Sequence, residues 1–269
     1  MKNDRYIFNI KRLLFAVIAM VFCCVSCVKD EFDSKIALQE DVVIANEIEA
    51  VIKTIGVISK EVEDISDRLK IGIAIGVIVN EEENKWESVF DTYLLSGKIA
   101  VEYLEQNTNS NEMKNVDCSG LKIQYYKNIW MQLFGSFTME NMNSVSNQGK
   151  KYGIHTEDFG YTDTSLSSVP DIVVNSDYVI DYNFARENVP AQMIFSGSGY
   201  GYNKLSGNYK HTITENIKTD IKTFNIVDGK IIIIIDKYGE KFPVEIEYSQ
   251  SGRTVKYRGN EQTTYYSNI

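Results

Sequence analysis

Residues 224–248 read FNIVDGKIIIIIDKYGEKFPVEIEY, and this stretch decides the fold class. The five consecutive isoleucines, Ile231 to Ile235, are apolar on both faces of a strand, which indicates a strand inside a sheet that is covered on both sides. In the segment that follows, every second residue is apolar: Phe242, Val244, Ile246 and Tyr248. This period of two is typical of a half-buried strand.

Turn residues divide this region into strands. Asp228-Gly229 favours a hairpin turn between Phe224–Val227 and the isoleucine run. Asp236 to Glu240 predicts a second turn, and Ser251-Gly252 predicts a third turn before a strand over Thr254 to Arg258. We therefore expect an antiparallel meander at the carboxyl end.

Upstream, the composition stays rich in Tyr, Ile, Val, Thr and Gly, which favours further strands. The candidates are Leu121 to Tyr126, Ile129 to Met139, Tyr152 to Tyr161, Asp171 to Phe184, Met193 to Tyr202 and Tyr209 to Ile217. About eight to ten strands in roughly 150 residues predict an antiparallel β-barrel or β-sandwich over residues 115–269.

A helical pattern precedes the strand region. Apolar residues alternate at spacings of four and three, as in the a/d seam of a coiled coil: Ile44, Ile48, Val51, Ile55, Ile58, Val62, Ile65 and Leu69. The seam could serve a coiled-coil stalk or dock on its own chain. It barely reaches the roughly three to four heptads typical of a coiled coil, so docking is favoured.

The pattern predicts a second helix after an ambiguous apolar run. Ile71 to Val79 could continue the first helix, break it, or form a buried strand, and we favour continuation or a break. Asn80 resembles a helix N-cap with acids at Glu81 to Glu83. Helical spacing then extends to Glu105 through Trp86, Phe90, Tyr93, Leu94, Val101 and Leu104.

Together these segments predict an α+β chain. Residues 35–106 form a helical hairpin, and residues 115–269 form the antiparallel β domain. The polar linker Gln106 to Asn111 is the best boundary between them.

The amino terminus has the composition of an export signal. Four basic residues precede the apolar run Leu13 to Val25, which is shorter than the roughly 20 residues that a membrane-spanning helix needs. Residues 1–26 are therefore expected to be a cleaved signal peptide.

The end of this segment, Cys24-Val25-Ser26-Cys27, resembles the lipobox of bacterial lipoproteins. The resemblance implies cleavage before Cys27, lipidation of Cys27 with palmitate-type acyl chains, and anchoring in the outer membrane. Residues 27–34 would be the lipidated cysteine and its tether. Lys29-Asp30-Glu31 is similar to the signal that sends lipoproteins of Bacteroidota to the cell surface. The alternatives are a solvated acidic tether, and an ordinary signal peptide with incidental cysteines.

The net charge argues against nucleic-acid binding, and the cysteine content argues against an internal disulfide in the folded part. The full chain has a net charge of −9, and the 243 residues from Cys27 onward carry −12. Nucleic acid is therefore not an expected partner, because an acidic chain repels phosphate backbones. Cys118 stands alone in the folded part and cannot form an internal disulfide, so we favour a small buried residue over a reactive nucleophile.

The sequence shows no catalytic, cofactor or metal signature. His155 with Glu157 and Asp158 lacks the spacing of a metal site, and Ser196 to Gly201 matches neither a nucleophile elbow nor a phosphate loop. The glycines of that segment predict a strand face that a ring or the backbone approaches closely. Carboxylates suited to hydrolysis are scattered through the strands: Asp163, Asp171, Asp177, Asp181 and Glu187.

Tyrosines supply the candidate ligand-binding residues, because exposed rings can stack on sugars or anchor a protein partner. The candidates are Tyr125, Tyr161, Tyr182, Tyr200 and Tyr202. We therefore expect an exported, lipid-anchored binding protein for a glycan or a protein. The alternatives are an assembly component that self-associates through the heptad helix, and a carboxylate-dependent hydrolase.

Overall fold

The computed structural model describes residues 41–91, 95–104, 112–126, 129–142, 149–162, 171–183, 191–221, 223–237 and 239–265. The chain divides into two compact units, Met1–Val42 and Val43–Ile269. Of the first unit the structure describes residues 41–42, which are helical. The predicted signal peptide, Cys27 and the tether at 27–34 lie outside the described residues.

The second unit begins with helix α1, residues 43–70, and continues as strands. The strands are β1 (Val77–Asn80), β2 (Lys85–Asp91), β3 (Leu95–Leu104), β4 (Met113–Asp117), β5 (Leu121–Tyr126), β6 (Ile129–Asn141), β7 (Gly149–Thr162), β8 (Ile172–Asn183), β9 (Gln192–Asn203), β10 (Gly207–Asp220), β11 (Ile226–Lys237), β12 (Glu240–Ser249), β13 (Gly252–Tyr257) and β14 (Asn260–Tyr265).

The described strands form one antiparallel sheet in which almost every strand pairs with its neighbour in sequence. The exception is β4 with β5, because both pair with β3 on one side and with β6 on the other. They therefore occupy one position in the sheet, interrupted at residues 118–120. In the described part of the chain, no helix is long and apolar enough to cross a membrane.

Helix α1 packs against one face of this sheet. Its buried residues include Ile44, Ile48, Val51, Ile52, Ile55, Ile58, Val62 and Ile65. The close approach of α1 to β9 requires a glycine at position 56. A Cβ on Gly56 would lie 2.8 Å from the ring of Phe195 and 3.3 Å from the side chain of Met193. The predicted docking of the heptad helix on its own chain is confirmed, and the seam is not available for a coiled-coil stalk.

The predicted helical hairpin over residues 35–106 is wrong, because α1 is followed by strands β1 to β3. Residues 71–76 form turns, and residues 77–80 form strand β1. Asn80 does accept a hydrogen bond from the Glu83 amide at 3.3 Å, but in the turn between β1 and β2. Trp86, Ser88 and Phe90 are buried on alternate positions of β2. A spacing of four residues fits a strand face as well as a helix face, which explains the error.

The predicted barrel or sandwich is corrected as well. The structure has a single antiparallel sheet, whose order runs from β1 to β14 in the described residues, and one helix. Residues 105–111 lie outside the described residues, and with them the predicted linker at 106–111. The sheet continues on both sides of this segment, because β3 pairs with β4.

The strands predicted from residue 121 onward are present as β5 to β10, with differences of a few residues at their ends. Asp228-Gly229 is not a hairpin turn, since both residues lie within β11. Gly229 has a φ of 121°. The β10·β11 pairing shifts register between Glu215 and Lys218, so the dipeptide lies at a bulge. In β11, Ile231, Ile233 and Ile235 are buried, while Ile232 and Ile234 are half-buried.

Candidate functional site

A cavity of about 470 Å³ opens between the amino-terminal half of α1 and one end of the sheet. Its walls come from α1, β5, β7, β13, β14 and the connection between β10 and β11. Cavities of this size lie within the range of small-molecule sites in proteins, about 300 to 1,000 Å³.

One wall of the cavity is apolar. Val57 of α1, Ile123 of β5 and Tyr161 of β7 contribute side chains that are at least nine-tenths buried. Phe224 completes this wall from the β10–β11 connection and packs partly against the core. An apolar molecule placed here would lose contact with water on several sides.

Phe224 has an uncommon backbone conformation, with a φ of 56°. Positive φ is unfavourable for a bulky residue, so its surroundings must hold it there. The Phe224 amide donates to the Asp220 carbonyl at 2.8 Å. The Asp220 side chain accepts from the Thr223 amide at 2.8 Å and from the Thr223 hydroxyl at 3.1 Å. The connection thus fixes an aromatic ring at the cavity.

The cavity lining also includes charged side chains. The Glu49 carboxylate pairs with Lys53 at 2.6 Å and also with Arg253 of β13. The Tyr248 hydroxyl donates to the same carboxylate at 3.3 Å, and Arg253 donates to the Asn46 side chain. Burial acts to raise the pKa of Glu49, but Lys53 and Arg253 outweigh it and hold the pKa below its ordinary value. Among the described residues, the charged side chains that line the cavity are Glu49, Lys53 and Arg253.

A second charged cluster lies around Glu63 on the same helix. The Glu63 carboxylate pairs with Lys114 of β4 at 3.4 Å and with Lys150 of β7. Burial acts to raise the pKa of Glu63, but Lys114, Lys150 and a hydrogen bond from Tyr152 hold it below its ordinary value. The Lys114 side chain is only 3% exposed. This cluster fixes the carboxyl-terminal half of α1 on the sheet.

A third glutamate of the helix has a different environment. Glu47 accepts a hydrogen bond from the Asn203 side chain of β9. Burial, together with the nearby Asp171, raises the pKa of Glu47 to about 8. Glu47 is therefore protonated at neutral pH, unlike Glu49 and Glu63.

The predicted tyrosine candidates do not converge on one site. Tyr161 lines the cavity, whereas Tyr182 is buried elsewhere, with its ring edge-on to Tyr152 at 5.7 Å. Tyr200 and Tyr202 lie on the opposite face of the sheet, 59% and 42% exposed. The side chain of Tyr125 lies outside the described residues.

The other chemical candidates have ordinary surroundings. His155 pairs with Asp177 at 2.7 Å, and the two side chains are 60% and 85% exposed, so they line no cleft. Asp163 and Glu187 lie outside the described residues, within which no group of three or more His, Cys, Asp or Glu could hold a metal ion. Cys118 is fully buried, and burial raises the pKa of its thiol far above the ordinary value, so it is not a nucleophile.

The glycine-rich segment of β9 behaves as predicted, as a strand face that rings approach closely. A Cβ at Gly199 would lie 2.6 Å from the ring of His211, and one at Gly201 would lie 3.1 Å from the Tyr209 hydroxyl. His211 is buried, and its Nε2 forms a hydrogen bond with the Tyr178 hydroxyl. Gly199 therefore makes room for the His211 ring, and Gly201 for the backbone of β8, because a Cβ at Gly201 would lie 1.8 Å from the Val173 carbonyl oxygen.

Sequence reasoning missed most of the cavity. Glu49 and Lys53 show the i, i+4 spacing of an ordinary surface pair, and Phe224 was expected within a strand. Arg253 follows the predicted Ser251-Gly252 turn, and the nearby sequence does not indicate that its partner lies on α1.

The chain matches no protein-family model, no curated protein and no solved structure. The functional proposal therefore depends on the cavity and on the residues of the amino terminus.

Proposed function

We propose that this chain is an exported, lipid-anchored binding protein of the bacterial cell envelope, and that the cavity beside Glu49 is its ligand site. The observation that carries the binding function is the cavity of about 470 Å³ with one apolar wall and one charged wall. Sites for small molecules combine a mostly apolar lining with a few placed polar groups, as this cavity does. The lipid anchor is supported by Cys27 in its lipobox-like context.

Binding is tested with the neutral probe N-phenyl-1-naphthylamine, whose fluorescence rises in apolar surroundings. Thr264 is an exposed residue at the cavity, and it pairs with Arg253 across β13 and β14. Thr264→Trp places a large ring over the opening and should abolish probe binding.

Thr263→Trp is the matched control, because Thr263 is also exposed but faces the other side of β14. This variant should bind the probe as the wild type does. Equal probe binding by Thr264→Trp and wild type, or none by wild type, would contradict the proposed site.

The anchor has a separate test. Cys27→Ala should abolish labelling with a palmitate analogue and release the protein from membranes. Persistent labelling of this variant would contradict lipidation at Cys27.

A second candidate is glycan binding on the outer face of the sheet. Tyr200 and Tyr202 are exposed on the same face of β9, next to Lys210 and Asn208 of β10. Exposed rings beside hydrogen-bonding side chains suit the stacking of sugars. Glycan-array binding should be lost in the variant Tyr200→Ala/Tyr202→Ala and kept in Met142→Ala, which removes an exposed apolar side chain elsewhere. Binding that survives the double substitution would exclude this surface.

A further inference from the structure

We infer that the cavity takes an amphiphilic monoanion, with its apolar body against Phe224 and Ile123 and its carboxylate at Lys53. This inference rests on the proposed function, because it names the ligand class of the same site. It follows from the combination of apolar and charged side chains that line the cavity.

The apolar side of the cavity defines the body of the ligand. Val57, Ile123 and Tyr161 are buried, and Phe224 is held at its unusual φ by the hydrogen bonds of the Asp220 connection. These four side chains come from α1, β5, β7 and the β10–β11 connection, so they border the cavity from several directions. A hydrocarbon chain needs such a surface and no hydrogen-bond partner.

The charged side defines the head group. The Glu49 carboxylate is already shared by Lys53, Arg253 and the Tyr248 hydroxyl. An ammonium group has three donors, and the Glu49 contact of Lys53 occupies one of them. The Lys53 side chain is 27% exposed, so a ligand can reach it. The described residues that line the cavity include two cations and one carboxylate, so a carboxylate on the ligand is favoured over a cation.

The class of ligand is tested with three compounds that share one hydrocarbon chain: octanoate, octanol and octylammonium. Each competes with N-phenyl-1-naphthylamine for the wild-type protein. Octanoate should displace the probe at a concentration about tenfold lower than octanol, as expected for one charge-assisted hydrogen bond. Octylammonium should be the weakest competitor.

Two substitutions should change this preference in opposite directions. Lys53→Met should remove the advantage of octanoate over octanol. Glu49→Gln should increase it, because no carboxylate then remains among the described residues that line the cavity. Lys60→Met is the matched control, since Lys60 also pairs with an acid four residues away on α1, Asp64, and does not line the cavity.

The outcomes separate the two proposals. If the probe binds and octanoate and octanol compete equally, the anion preference is wrong and the binding site stands. If octylammonium competes best, the assigned head group is wrong. If the probe does not bind the wild type, the proposed function fails and this inference fails with it.

Discussion

The two ends of helix α1 carry nearly the same charged groups and differ in what surrounds them. Glu63 meets Lys114 and Lys150 near the carboxyl end, and Glu49 meets Lys53 and Arg253 near the amino end. The first cluster includes a cation that is 3% exposed, whereas the second borders a cavity. At Glu63 the two cations also pair with Glu112 and Asp67 and fix the helix on the sheet, whereas at Glu49 the charged groups line a cavity.

The largest expected decrease in the free energy of unfolding is in the cluster of Glu63, Lys114 and Lys150. Lys114→Ala removes one of the two cations that balance the charge of the buried Glu63 carboxylate. Removing one partner of a buried ion pair lowers the free energy of unfolding by about 3 to 5 kcal/mol. Lys150 still pairs with Glu63, so we expect the lower value, about 3 kcal/mol, in urea unfolding. Lys60→Ala, at an exposed pair on the same helix, should change the free energy of unfolding by less than about 0.5 kcal/mol. Equal effects of the two substitutions would contradict the structural role of Glu63.

Glu47 differs from Glu49 and Glu63 because its direct hydrogen-bond partner is an amide rather than a cation. Its pKa is about 8 in the folded chain against an ordinary 4.5, so its contribution to stability is complete below pH 4.5 and is lost as the pH rises through 8. Glu47→Gln should nearly equal the wild type in stability at pH 4.5 and exceed it at pH 9, by up to about 5 kcal/mol for the full change in pKa. Urea unfolding at the two pH values measures this difference. A wild type that is more stable than the variant at pH 9 would show that Glu47 is ionised in the fold.

Substitutions in the cluster of Glu49, Lys53 and Arg253 should lower the free energy of unfolding less than substitutions in the Glu63 cluster. Arg253→Met should lower the free energy of unfolding by about 1 kcal/mol, because Lys53 and Tyr248 still contact Glu49 and the cavity admits water. Lys256→Met on the same strand is the control, since its pairs with Glu245 and Glu247 are solvent-exposed and worth little. A loss of unfolding free energy for Arg253→Met as large as that for Lys114→Ala would mean that both clusters fix α1 on the sheet equally.

The smallest effect is expected away from both clusters. The turn and strand that follow α1 expose large apolar side chains, including Ile71, Ile75 and Ile78, and Ile75 is 79% exposed. Ile75→Thr should change the free energy of unfolding by less than about 0.5 kcal/mol. Chemical unfolding measures it, with the buried Ile55→Thr as the contrasting variant. A large loss for Ile75→Thr would place this side chain in a packed core.

Local periodicity was sufficient for much of the fold. The seam of α1 and the alternation of β12 are local patterns, and both elements formed where they were predicted. The strands β1 to β3 were missed because Trp86 and Phe90 are four residues apart, a spacing that a helix and a strand share. Asp228-Gly229 was misread because a glycine with positive φ serves a bulge as well as a turn.

The cavity could not be predicted in the same way. Its walls combine residues from Asn46 to Thr264, and their proximity depends on how a long sheet packs around one helix. Of the predicted tyrosines, Tyr161 alone is known to line it, since the side chain of Tyr125 lies outside the described residues. The pairing of Glu49 with Arg253, 204 residues later in the chain, left no local pattern.

We propose the space beside Glu49 as the ligand site. A crystal structure of the chain from residue 28 onward, soaked with octanoate, tests it most directly. We expect density for the hydrocarbon chain between Ile123 and Phe224, with the carboxylate within hydrogen-bonding distance of the Lys53 Nζ. An empty cavity, or octanoate bound instead beside Tyr200 and Tyr202, would contradict it.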